Sequence, residues 1–131
     1  MIKKLAQKEG VIYTGSAGDE PGAVMELYSF VKAMGMNVEV MSKEKNNKID
    51  YECNPDTVLK MLCAFKDGTK TMVEMTAMSN YTGLIPDVIG GHGPKTVPGT
   101  EGVKELNDIF KLKEDGGILN KHGVVEYVNG I

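Results

Sequence analysis

A lysine and a glutamate lie four residues apart in Lys70-Thr71-Met72-Val73-Glu74, directly after the turn Asp67-Gly68-Thr69. That spacing puts both charges on one face of a helix. Their neighbours are small hydroxyls and methionines, not the Glu, Lys and Ala mixture of a solvated helix. Two readings follow. As an exposed ion pair, Lys70 and Glu74 contribute only about 0.2–0.5 kcal/mol. In a cleft, Lys70 can polarise or protonate a carbonyl while Glu74 holds a substrate hydroxyl or amine. Lysine before glutamate is the poorer order for helix support, which tilts the reading toward chemistry. Thr69 and Asp67 add polar groups at the same end. Asn80 falls roughly three turns further on, beyond Lys70 but able to line the same cleft.

Three other stretches bear on chemistry. Gly15-Ser16-Ala17-Gly18-Asp19-Glu20-Pro21-Gly22 resembles an anion cradle at a helix start, but its glycine spacing is not the dinucleotide fingerprint G-x-G-x-x-G. Asp19 and Glu20 would repel a phosphate there, so the loop reads as a turn with an acidic cap, or as Asp19 or Glu20 binding a hydroxyl, amine or metal. Lys43, Lys45 and Asn46 follow a strand candidate. They read as a solvated charge run or as ligand groups at a strand end, where open α/β sheets bind their ligands. His92 stands in Gly90-Gly91-His92-Gly93-Pro94. It reads as an exposed turn residue, with acid–base or lid work as the alternative. No metal-ligand spacing is present; Asp19 and Glu74 would share a cation only if the fold brought them together.

These groups have to be positioned by a small set of elements. Residues 2–9 read as a helix tail ended by Gly10. Val11–Thr14 is a short strand, and Val24, Leu27, Tyr28, Val31 and Met34 mark a helix closed by Gly35. Asn37–Met41 is a second strand, and residues 43–48 a polar loop. Strand, helix and strand together predict a right-handed βαβ unit of the α/β class. Asn54-Pro55-Asp56 starts a helix carrying Val58, Met61, Leu62 and Phe65. A second helix spans about Thr69–Thr82, with Gly83 as its stop. Residues 85–100 are too rich in Gly and Pro for regular structure. Thr100 caps a short helix with Val103, Leu106 and Phe110; residues 111–123 are loop; Val124–Val128 is the last strand. The expectation is an α/β domain with about three strands and about four helices.

Composition narrows the function classes. The 131 residues carry 41% hydrophobic and 25% charged side chains and a net charge of −3, which fits one globular domain and disfavours nucleic acid. All basic side chains are lysines, with no arginine, so a bidentate guanidinium clamp on a carboxylate or phosphate is excluded. No apolar run approaches the roughly 20 residues of a membrane span, and the N-terminus lacks a signal-peptide core. A cytoplasmic protein with free thiols at Cys53 and Cys63 is expected. Cys63, beside Leu62, Ala64 and Phe65, reads as a small core residue.

Taken in order, Gly18-Asp19-Glu20-Pro21-Gly22, Lys43-x-Lys45-Asn46, Asp67-Gly68-Thr69-Lys70-Thr71-Met72-Val73-Glu74, Asn80-x-Thr82-Gly83-Leu84-x-Pro86-Asp87 and Lys113-Glu114-Asp115-Gly116-Gly117-Ile118 resemble a known family. It is the central domain of homoserine-dehydrogenase-like oxidoreductases that carry a C-terminal SAF domain, with the 1-deoxy-D-xylulose 5-phosphate reductoisomerase-like enzymes as one branch. The resemblance implies a substrate-binding, catalytic and dimerising domain over residues 1–131, with a Rossmann domain before it and an SAF domain after it. It implies NAD or NADP as cofactor, bound mainly by the Rossmann domain, a small polar hydroxy or keto substrate, and a homo-oligomeric enzyme. On its own the domain would then be inactive. By the same resemblance Lys70 and Lys43 are the catalytic candidates, and Asp19, Glu74, Thr69 and Asn80 the substrate-binding ones. The alternative is a stand-alone metabolite-binding or dimerisation module without catalysis.

Overall fold

The computed structural model describes residues 2–10, 19–45 and 59–129. The elements run α1 (Ile2–Lys8), α2 (Asp19–Ala33), β1 (Val40–Lys45), α3 (Leu59–Lys66), α4 (Thr69–Thr82), β2 (Ile85–Pro86), α5 (Thr100–Ile109) and β3 (Val124–Asn129), with a 3₁₀ turn at Lys113–Asp115. The class is α/β, as expected, with three strands and five α-helices among the described residues against the expected three or so and four or so. The strand expected at Val11–Thr14 lies outside them.

The sheet is parallel throughout, in the order β1-β3-β2. β3 is central, and its near-continuous apolar run is buried at Val124, Val125 and Val128, as a parallel strand covered on both faces requires. Pro86 is tolerated because β2 is an edge strand, where a missing N–H costs no ladder bond. The chain leaves that edge after Pro86 and returns at Lys95, which bridges Asn129 in parallel; Asn129 N–H donates to the Pro94 carbonyl at 2.8 Å. Residues 85–100 are thus a broken edge strand with a loop held at both ends, not simply irregular chain.

β1 corrects a second expectation. The strand is Val40–Lys45, not Asn37–Met41, so Lys43 and Lys45 belong to the sheet and not to a loop. All six residues pair with β3, from Val40 with Val124 to Lys45 with Asn129. Charge did not end the strand because the partner strand continues alongside it.

α4 runs as expected between two glycines in the left-handed region, Gly68 (φ 89°) and Gly83 (φ 83°), and the Gly83 N–H closes the last turn on the Ser79 carbonyl at 2.8 Å. Its buried residues, Thr71, Glu74, Met75 and Met78, form one helical stripe. Met75 and Met78 pack with Met41 and Val125, flanked by Val24, Met25 and Tyr28 of α2 and by Tyr127. α2 and α4 therefore cover the same face of the sheet. Glu74 lies in this apolar stripe and needs a buried counter-charge.

Two smaller expectations are revised. Cys63 is exposed and is not the small core residue expected. Gly99, not Thr100, is the N-cap of α5, and Thr100 is its first helical residue.

Candidate functional site

Alternation along β1 turns Met41 and Lys43 inward, under the α2–α4 layer. Met41 joins the core. Lys43 reaches the charged end of the α4 stripe, where its Nζ ion-pairs with Glu74 Oε2 and lies 3.3 Å from Glu20 Oε2 at the start of α2. The Lys43 side chain is 3% exposed and that of Glu74 9%. Glu74 uses its other oxygen, Oε1, for Lys70 Nζ at 3.6 Å. Lys70 is 43% exposed, and its ammonium stands 4.0 Å from the centroid of the Phe65 ring of α3. That position is set twice, by a carboxylate and by an aromatic face.

Four elements thus deliver Glu20, Lys43, Phe65, Lys70 and Glu74 to one place. Lys43 approaches from the C-terminal half of β1 and Glu20 from the N-terminal turn of α2, the region where parallel α/β sheets bind ligands. The two lysines and two carboxylates balance in charge. Lys43 is enclosed between two acids, whereas Lys70 keeps nearly half its side chain open to solvent. Of the two lysines, Lys70 is the one with room for a ligand oxygen.

The remaining sequence candidates fall as follows. Thr69 is exposed; its N–H donates to Asp67 Oδ1 at 2.8 Å, and with Asp67, Gly68, Met72, Val73 and Thr76 it lines a shallow hollow of about 460 Å³. Those hydrogen bonds from Thr69, aided by the nearby Lys45 charge, hold the Asp67 carboxyl below its ordinary range. Asn80 is exposed at the far end of α4 and does not join Lys70. Asp19 is the first residue of α2, and its side chain lies outside the described residues. Glu20, one residue on, meets Lys43 instead. Sequence reasoning named Glu20 beside Asp19, as a cap or as a group binding a hydroxyl, amine or metal, since nothing local tells which of two adjacent acids faces a strand. Among the described residues no group of three His, Cys, Asp or Glu side chains is placed to hold a metal.

A second polar cluster occupies the loop between Pro86 and Lys95. The Asp87 side chain is shielded from solvent, and its Oδ2 accepts from Asn120 N–H at 2.8 Å and from Asn120 Nδ2 at 2.9 Å, and lies 2.7 Å from His92 Nε2. Lys113 Nζ donates to Asn120 Oδ1 at 2.8 Å, so Asp87 and the Lys113–Gly117 block belong to one network. His92 is 18% exposed, not the exposed turn residue its glycine neighbours suggest. Its backbone N–H donates to Glu126 Oε2 at 2.8 Å. Burial raises the pKa of the Glu126 carboxyl, against the backbone donors of the loop. Burial also opposes ionisation of Asp87, but the hydrogen bonds from His92 and Asn120 outweigh it and its pKa is lowered.

Residues 18–131 match the family described as oxidoreductase DRL, catalytic domain. The chain belongs to that family. The match takes in α2 to β3, and so every residue of both clusters. No curated protein matches the chain. Within an oxidoreductase catalytic domain, the Lys43–Glu74–Lys70 group and the Asp87–His92–Asn120 cluster are two polar arrangements that the fold assembles from separate segments. A further hollow of this catalytic domain lies elsewhere among the described residues. It is a groove of about 1060 Å³ between α2, β1 and α5, lined by apolar groups such as Leu27, Val31, Leu106 and Phe110.

Proposed function

We propose that this chain is the substrate-binding and catalytic domain of an NAD(P)-dependent oxidoreductase of the homoserine-dehydrogenase-like kind, acting on a small polar hydroxy or keto substrate. The observation that carries the reading is the partly open Lys70 ammonium, set by Glu74 and Phe65 beside the closed Lys43–Glu74 pair. An ammonium fixed in this way stabilises negative charge that develops on a substrate oxygen, and it needs no reorganisation to do so. Lys43 acts on Glu74: it supplies the counter-charge that a carboxylate in an apolar stripe needs, and Glu74 in turn aims Lys70. The charge balance of the group suits a neutral hydroxyl or carbonyl better than a phosphate, which would need an excess of cations.

The dinucleotide does not fit this chain alone. The sequence has no G-x-G-x-x-G turn and no arginine, so the pyrophosphate would be held by a separate nucleotide-binding domain, and the Lys70 end of this domain would face it. By the same reading Thr69 and Asp19 belong to the substrate side, the enzyme works as a homo-oligomer in the cytoplasm, and an SAF domain follows. Among the described residues no helix is long and apolar enough to cross a membrane.

The test is K70A in the intact enzyme, with NAD(P)H turnover as readout. A loss of tenfold or more is expected, since one charged donor to a developing oxyanion contributes about 2.7–4 kcal/mol in comparable sites. Unchanged turnover would remove Lys70 from the chemistry.

A further inference from the structure

The Asp87–His92 pair plays no part in the Lys70 reading, yet it is built as acid–base groups are built. We propose that His92 is an acid–base residue of this domain: Asp87 pins its Nε2–H, and Nδ1 is the atom that takes up and returns a proton.

The loop that carries His92 is fixed at both ends, at Ile85–Pro86 and at Lys95, on the same edge of β3. Within it, Gly91 (φ 73°) and Gly93 (φ 55°) lie against Tyr127. A Cβ at Gly91 would come within 3.2 Å of the Tyr127 ring and 3.1 Å of Glu126 Oε2, and one at Gly93 would overlap the ring. The His92 backbone is therefore held by Glu126 and Tyr127, and its ring by Asp87. A buried carboxylate that accepts from one imidazole nitrogen fixes the tautomer and leaves the other nitrogen as the base.

Asp87 is itself held by two donors from Asn120, which Lys113 anchors in turn. The charged groups facing His92 are thus Asp87 at the ring, Glu126 at the backbone and Lys113 through Asn120. Nδ1 has no partner among the described residues. Asp87 Oδ1 and Glu126 Oε1 are also buried without partners. Both acids that hold His92 thus have acceptor capacity left over. Only that proton moves: Nδ1 takes it from a donor such as a ligand hydroxyl or water, and the positive ring stays paired with the Asp87 carboxylate.

The experiment is ring-¹⁵N NMR of the intact chain through a pH titration, with the exposed His122 as internal reference. The expected result for His92 is the Nε2–H tautomer when neutral, and reversible protonation at Nδ1 while the backbone amide spectrum keeps its folded dispersion. An Nδ1–H tautomer, a mixture of the two tautomers, or protonation only as the fold melts would overturn the proposal. A second measurement uses diethylpyrocarbonate on H122N: one carbethoxyhistidine should form at His92, and its absence counts against an available Nδ1. No variant here touches Lys43, Lys70 or Glu74, so either reading can fail without the other.

Discussion

Lys43 of β1 and Glu74 of α4, thirty-one residues apart in the chain, form an ion pair with both side chains nearly out of solvent. The pair joins the sheet to the helix that covers it. It also sets the direction of the carboxylate that Lys70 rests on. Structure and candidate chemistry therefore share one interaction, and substitutions have to be read on both scales.

K43M should destabilise the fold by about 3–5 kcal/mol, because it leaves the Glu74 carboxylate buried with only Lys70 nearby. The double variant K43M/E74L should recover most of that loss, since it removes both charges from the apolar stripe. Urea unfolding of the two variants and the parent chain measures the difference. A double variant as unstable as K43M would show that Glu74 is not what makes the single change costly.

K70A should behave differently. Lys70 is partly exposed, so its pairing with Glu74 is screened and the loss of stability should stay within about 1 kcal/mol. Paired with the turnover assay, this separates chemistry from folding: K70A should lose activity at nearly unchanged Tm.

The two acids around His92 should give opposite pH trends. Burial raises the Glu126 pKa in the folded state, so its contribution to stability is present at low pH and is lost as pH rises through that raised value. E126Q should therefore gain on the parent chain as pH climbs above the ordinary carboxylate range of about 4 to 5. The Asp87 pKa is lowered, so its contribution is present above that range and is lost as pH falls through the folded value. D87N should lose most at neutral pH and least in acid. Thermal unfolding at several pH values reads both slopes.

G93A should cost about 1–3 kcal/mol from the positive φ alone, and more from the overlap with the Tyr127 ring. Hydrogen exchange should show the change first at the amides of His92 and of Asn129, whose partners are Glu126 and the Pro94 carbonyl.

Local signals in the sequence carried far. Gly68 and Gly83 bounded α4 because a left-handed residue at each end stops a helix wherever it occurs, and the four-residue spacing placed Lys70 and Glu74 on one face for the same local reason. The α/β class followed from the alternation of element types. The order of motifs from Gly18 to Ile118 pointed to an oxidoreductase catalytic domain, and the family match agrees. What the sequence could not decide were the pairings between distant segments. A run reading Lys-Glu-Lys looks like a loop until a buried β3 lies beside it, and then Lys43 is an inward strand residue. Nothing near His92 announces Asn120 or Lys113, which hold Asp87 from some thirty residues away. Ion pairs and hydrogen bonds form between groups that meet in space, so only the tertiary structure could tell the lysine that is closed in, Lys43, from the one left partly open, Lys70.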